Sequence, residues 1–115
     1  MPLKMTERVV DGVSVLDLEG RIVLGDESSA LRERVKALLE QGRKKLVLNM
    51  GQVSYIDSAG LGALVAAHTS AKNQGASLKL VNLGSKFREV LQVTKLLTVF
   101  EVYDTEQAAI ASFPT

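Results

Sequence analysis

Apolar and polar positions change period along this chain in a way that marks out alternating strands and helices. Glu7 to Asp11 and Val13 to Glu19 are short segments rich in β-branched residues, joined at Asp11-Gly12. Asp-Gly tolerates the positive φ of a tight turn, so the chain is expected to open with a β-hairpin. Ile22 to Leu24 is a candidate extension of that sheet, closely bracketed by Gly20 and Gly25. Asp26 is placed to cap a helix running to about Gln41, because Leu31, Val35, Leu38 and Leu39 recur at helical spacing and Gly42 follows where a C-terminal glycine belongs. Lys45 to Met50 is a nearly continuous apolar run, as expected of a central strand covered on both faces.

A turn is expected at Gly51 to Ser54, then a strand-to-turn segment, Val53 to Ile56, that hands over to a helix starting at about Ser58. Leu61, Leu64, Val65, His68 and Lys72 share one face of that helix, which should end near Asn73-Gln74-Gly75. Ser77 to Leu83 reads as a strand. Ser85 to about Leu97 reads as a helix with Phe87, Val90, Leu91 and Thr94 aligned, and Val99 to Tyr103 as a last strand. Asp104 or Thr105 caps a terminal helix ending near Phe113, with Pro114 beyond it. Strands alternating with helices imply right-handed crossovers onto a largely parallel sheet, an α/β fold.

Composition narrows the function classes. One domain over residues 1–115 is expected, since a chain of this length with 46% hydrophobic residues buries roughly 65% of its unfolded surface. It has no cysteine, so neither a disulfide framework nor a thiolate metal site is open to it. Residues 1–10 lack the apolar stretch of a secretory signal, and the longest apolar run, Leu61 to Ala67, falls well short of the roughly 20 residues of a membrane span. A cytoplasmic protein is expected. Fourteen basic against thirteen acidic residues and five aromatics supply neither the field nor the stacking surface of a nucleic-acid binder. Arg32, Arg34, Lys36, Arg43, Lys44 and Lys45, interspersed with Glu33 and Glu40, read as a solvated helix face and its C-terminal turn.

The candidate chemistry lies in Tyr55-Ile56-Asp57-Ser58-Ala59-Gly60-Leu61-Gly62. Ser58 falls at a helix start, near unpaired N–H groups and the positive end of the helix dipole, where a phosphate would be accommodated. The competing reading is that Asp57 or Ser58 is simply the helix N-cap, both types being preferred there. Gly60 and Gly62 tip the balance toward function. Each costs a helix roughly 1 kcal/mol relative to alanine, and their lack of side chains lets another backbone or a partner approach while leaving Ser58 accessible. For Gly62, tight packing on the neighbouring strand is the competing explanation.

Catalysis by this segment is not expected. Ile56 stands where a Gly-x-Ser-x-Gly nucleophile elbow needs its first glycine. The sole histidine, His68, lies ten residues along the same helix, about 15 Å from Ser58 at 1.5 Å per residue, too far to act as its base. No histidine pair offers metal ligands and no lysine follows the glycines as in a phosphate-binding loop. Neither a metal nor a cofactor is expected.

The run from Val47 through Asp57-Ser58-Ala59-Gly60-Leu61-Gly62 to Leu64 resembles the signature of STAS domains of the anti-sigma factor antagonist family. Val13 to Arg21, Leu78 to Leu83 and Phe87 to Phe100 are similar to flanking elements of that family, so the resemblance spans nearly the whole chain. It implies a single domain with a mixed, largely parallel sheet, an N-terminal hairpin and about four helices. It also implies partner switching: the unphosphorylated protein binds an anti-sigma factor that is a serine kinase and so frees the sigma factor, phosphorylation by that kinase ends the binding, and a metal-dependent serine phosphatase restores it. Ser58 matches the phosphoacceptor and Asp57 the acidic residue before it. The implied partner surface comprises Asp57, Ser58, Ala59, Gly60, Leu61 and Gly62, with Asp26 and Glu27 from the loop after the second strand. Asn49 stands where many relatives have aspartate, and Ile22 to Glu27 departs from their shorter pattern. The alternative the resemblance leaves open is an interaction module in a stressosome-like scaffold or a membrane-transport complex.

Overall fold

A computed structural model describes residues 3–114; the expected domain limits at 1 and 115 fall outside them. Asp11 and Gly12 take φ of +52° and +78°, the pair of left-handed residues that a two-residue hairpin turn demands. They join β1 (Lys4–Val10) to β2 (Val13–Ile22) in an antiparallel ladder from Lys4 opposite Glu19 to Val10 opposite Val13. The chain continues through α1 (Asp26–Glu40), β3 (Lys45–Ile56), α2 (Ser58–Asn73), β4 (Ser77–Val81), α3 (Ser85–Val93), β5 (Glu101–Tyr103) and α4 (Glu106–Ala111). Spatial order in the five-stranded sheet equals chain order, and β2 to β5 run parallel.

Because each crossover steps one strand in the same direction with the same hand, α1, α2 and α3 gather on one face. Alternation along the strands sorts the core accordingly. Leu16, Leu18, Leu46, Leu48, Leu78 and Leu80 pack under Leu31, Val35, Leu64, Ala67 and Leu91 of those three helices. Val13, Val15, Val47 and Val81 point the other way, toward Ala109 and Phe113 at the chain's end. That second face is only partly covered, and Lys79 crosses it buried, its Nζ donating to Ser112 Oγ at 2.6 Å and lying 4.1 Å from the Phe113 ring centre. The aromatic face and the hydroxyl stand in for the water the ammonium loses.

Several boundaries differ from those the sequence suggests. No turn forms at Gly51 to Ser54; β3 runs unbroken to Ile56, because β2 continues through Gly20 (φ +116°) to Ile22 and stays paired with β3 across two register shifts, giving β3 a partner beyond the end of β4. Ile22 alone of Ile22 to Leu24 belongs to the strand. Gly25, not Asp26, occupies the α1 cap position, and Asp26 and Glu27 sit inside the first turn, where carboxylates suit the dipole. The strand expected to reach Leu83 stops at Val81 because Asn82 adopts φ +60°. The helix expected to reach Leu97 stops at Val93, where Lys95 (φ +62°) lets the Leu96 N–H return to the Leu91 carbonyl, and β5 begins at Glu101 instead of Val99. Thr105 caps α4, accepting from the Ala108 N–H.

The buried face of α2 is also rotated from the expected one. Gly60, Ala63, Leu64, Ala67 and Ala71 face inward, whereas Leu61, Val65 and His68 are half-buried and Lys72 is exposed. Small residues let this helix lie close to the sheet, so its larger apolar side chains flank the contact.

Candidate functional site

β2 and β3 end side by side at Ile22 and Ile56, and the residue that follows β3 ties both ends together. The extended backbone of Asp57 (φ −102°) makes it the N-cap of α2: Oδ1 accepts from the Gly60 N–H at 2.8 Å and its carbonyl from the Leu61 N–H at 2.9 Å. The other carboxylate oxygen reaches across to the β2–α1 loop, where Oδ2 accepts from the Leu24 N–H at 2.9 Å, while the Asp57 N–H donates to the Ile22 carbonyl at 3.2 Å. The Gly60 amide, then the Leu24 amide, hold the Asp57 carboxyl below its ordinary value of 3.8. Asp57 therefore stays charged at neutral pH. Of the two cap candidates, Asp57 takes the role, which leaves the Ser58 side chain out of the capping geometry.

The two glycines of this turn differ. A Cβ on Gly60 would lie 2.0 Å from the Ile22 carbonyl oxygen and 2.8 Å from Ile56 Cγ1, so the close approach that glycine permits is that of the protein's own β2 backbone. A Cβ on Gly62 would meet only Arg32 Nη2, at 3.8 Å, an ordinary contact with the end of a flexible side chain. Tight packing on the neighbouring strand does not account for Gly62.

Among the residues marked out from sequence, Ser58 and Asp26 are exposed, Asp57, Ala59, Leu61, Gly62 and Glu27 are half-buried, and Gly60 is buried. The Asp57–Leu24 hydrogen bond brings the start of α2 and the β2–α1 loop into one surface. Sequence reasoning omitted two large apolar residues from it: Leu24, 77% exposed, and Tyr55, 57% exposed. Their signal was present, as apolar residues beside a glycine and within the motif, but Leu24 was read as a candidate strand extension and Tyr55 as part of a strand-to-turn segment. Beside Tyr55, a groove of about 310 Å³ opens between Val53 and Ile56 of β3 and Lys86, Phe87 and Val90 of α3.

Asn49 is a mid-strand link on the α4 face. Its Nδ2 donates to Asp17 Oδ1 at 2.9 Å, and its Oδ1 accepts from the Gly51 N–H and Asn82 Nδ2, both at 3.0 Å. Arg8 in turn clamps Asp17, at 2.6 and 3.0 Å, to Glu106 of α4. An aspartate at 49 would face the Asp17 carboxylate, whereas the asparagine donates to it. His68 packs edge-on to Phe100, ring centres 5.5 Å apart, and among the described residues no three acidic, histidine or cysteine side chains cluster as metal ligands. Nor is any helix there long and apolar enough to cross a membrane.

Comparison with known protein families matches the STAS domain model to residues 4–109. The chain belongs to the STAS domain family. BtrV of Bordetella bronchiseptica, named as a candidate anti-sigma factor antagonist, is 29% identical over 98% of this chain and 97% of its own. The anti-sigma-B factor antagonist of Bacillus subtilis is 39% identical over 63% of this chain and 65% of its own. Among solved structures, a candidate anti-sigma factor antagonist of Thermotoga maritima superposes with a TM-score of 0.86 at 27% identity, over 93% of this STAS chain and 92% of the other. The Bacillus cell fate determinant SpoIIAA in its phosphorylated form shares the fold, with a TM-score of 0.70 at 21% identity over 95% and 96% of the two chains. The Bordetella, Bacillus subtilis and Thermotoga relatives are thus named as antagonists, or candidate antagonists, of anti-sigma factors.

Proposed function

We propose that this chain is an anti-sigma factor antagonist whose binding to a serine-kinase anti-sigma factor is ended by phosphorylation of Ser58 and restored by a metal-dependent serine phosphatase, in the cytoplasm. The observation that carries the reading is the position of Ser58. It is the exposed first residue of α2, on a turn immobilised by Asp57 and by the contact of Gly60 with β2. The existence of a phosphorylated form of the structural relative SpoIIAA supports it.

Electrostatics give the switch its sign. A phosphoserine carries about −1.5 to −2 charges at neutral pH, and here it would stand beside a carboxylate that is already ionised. The helix N-terminus tolerates that charge, so the fold persists. The partner, shaped for a neutral hydroxyl, meets a dense anion, and juxtaposed like charge at an interface costs several kcal/mol.

The test is to incubate the protein with the anti-sigma kinases of its host and ATP, to map the phosphate by mass, and to measure partner affinity for wild type, Ser58→Ala and Ser58→Asp. A single phosphate on Ser58 is expected, with none on Ser28, Ser29 or Ser77. Ser58→Ala should bind like wild type, and Ser58→Asp should bind at least 10-fold more weakly while remaining folded. Equal affinities for all three, or phosphate on another serine with Ser58 unmodified, would reject the mechanism.

A further inference from the structure

Leu24 presents an isobutyl group to solvent at 77% exposure, one residue before a glycine, in the loop between β2 and α1. A lone exposed leucine is unremarkable on a loose loop. This loop is tied on every side. The Leu24 N–H is held by Asp57 Oδ2 at 2.9 Å, and the Val23 carbonyl accepts from both the Ser28 N–H at 3.1 Å and Ser28 Oγ at 2.6 Å. The Gly25 carbonyl accepts from the Ser29 N–H at 3.1 Å, and Gly25 itself takes φ +106°, a conformation side chains resist. Ser28, whose hydroxyl makes one of these ties, is 6% exposed.

We propose that Leu24 is an apolar anchor for the protein partner that reads Ser58, and that Asp57 is the positioning residue that presents it. The inference rests on the reading of Ser58 as the switch. A large apolar side chain on an already ordered backbone inserts into a partner's pocket without the ordering cost that a mobile loop would add. The occupant of the surface follows from continuity: the carboxylate that fixes the Leu24 amide also caps α2, one residue before Ser58, so a partner covering the serine covers the leucine. The same geometry couples the two. A dianion on Ser58 lies next to the carboxylate that holds Leu24, so modification weakens the presentation of the anchor as well as adding repulsion.

Two measurements test this, one of them free of any partner. In Asp57→Asn the side-chain oxygen can still cap Gly60, since asparagine caps as well as aspartate, but an NH₂ group then faces the Leu24 N–H. Amide hydrogen exchange should show protection at Leu24 falling at least 10-fold, with Leu48 in the core unchanged. Unaltered protection at Leu24 would overturn the positioning role. The second measurement is affinity for the purified serine-kinase anti-sigma factors of the host, each assayed in turn. Leu24→Ala should lose at least 10-fold in affinity with an unchanged thermal midpoint, Leu24→Met should retain most of it, and Asp57→Asn should add little once Leu24 is alanine. Binding by Leu24→Ala within twofold of wild type, or fully additive losses in the double variant, would refute the anchor. If none of these kinases binds the wild type, the anchor falls with the reading it rests on, whereas the exchange result still decides whether Asp57 positions Leu24.

Discussion

Gly60 and Gly62 stand two residues apart in the first turns of α2 and do opposite things. The inner one faces a carbonyl of β2 that leaves a methyl group no room, and the outer one faces the tip of an arginine that would move aside. Less than one turn of helix separates a position that folding dictates from one that folding leaves free. The same division runs through Asp57 and Ser58, the first spending both carboxylate oxygens on internal amides and the second making no capping bond. A motif that looks like a single functional string is therefore an inner edge that builds the turn and an outer edge that folding leaves free, the edge the proposed partner would read.

The strongest way to break that comparison is Gly60→Ala. Helix propensity alone favours alanine by about 1 kcal/mol, yet the added methyl would sit 2.0 Å from the Ile22 oxygen, and backbone, unlike a side-chain tip, does not yield cheaply. A net loss of at least about 3 kcal/mol is expected, the upper end of overpacking costs, seen as a fall in the denaturation midpoint or as insoluble protein. Wild-type stability in this variant would show that α2 can lift off β2.

Asn49→Asp should have a smaller, pH-dependent effect. The substitution turns a donor into an acceptor against Asp17 Oδ1, at a half-buried site where a lost hydrogen bond costs about 1–3 kcal/mol. In the wild type, the Arg8 guanidinium foremost holds the Asp17 carboxyl below its ordinary 3.8. That contribution to stability is present above 3.8 and fades as pH falls through the lower folded value. In the variant, two facing carboxylates force one of them upward. Its penalty is full at neutral pH and relieved as that group protonates, so the gap between variant and wild type should narrow from pH 7 toward pH 4. Denaturant titrations at those two pH values check it, and a constant gap would mean that Arg8 satisfies both carboxylates.

These contrasts explain which parts of the molecule were legible in its sequence. The hairpin was readable because Asp11-Gly12 is a turn by its own chemistry, and the order of strands and helices because leucine and valine change period so plainly. Two things were hidden. The continuation of β3 past Gly51 depends on β2 passing through Gly20, a pairing between residues 32 or more apart that local propensity cannot register. The inner face of α2 is built from glycine and alanine, whose weak apolarity let Leu61, Val65 and Lys72 suggest the wrong side. At the site, the residue types and the helix start were readable, but the assignment of Asp57 to the cap and the exposure of Leu24 required the β2–α1 loop to be seen lying across the turn.

The smallest expected effect on stability, and the sharpest separation of the two edges, belongs to Gly62. Alanine there meets one guanidinium nitrogen at 3.8 Å and gains helix propensity, so Gly62→Ala should leave the protein as stable as wild type or raise its stability by up to about 1 kcal/mol. Valine, β-branched and stiffer in a helix, should cost the fold a few tenths of a kcal/mol relative to alanine. Its side chain projects beside the turn that carries Ser58, so partner affinity should fall in the order glycine, alanine, valine while thermal midpoints stay nearly level. Under the proposed switch, glycine at 62 serves the contact with the partner and not the fold. Should affinity be flat across the three variants, the outer edge of α2 ends before Gly62 and the partner surface must be redrawn toward Leu24 and Ser58.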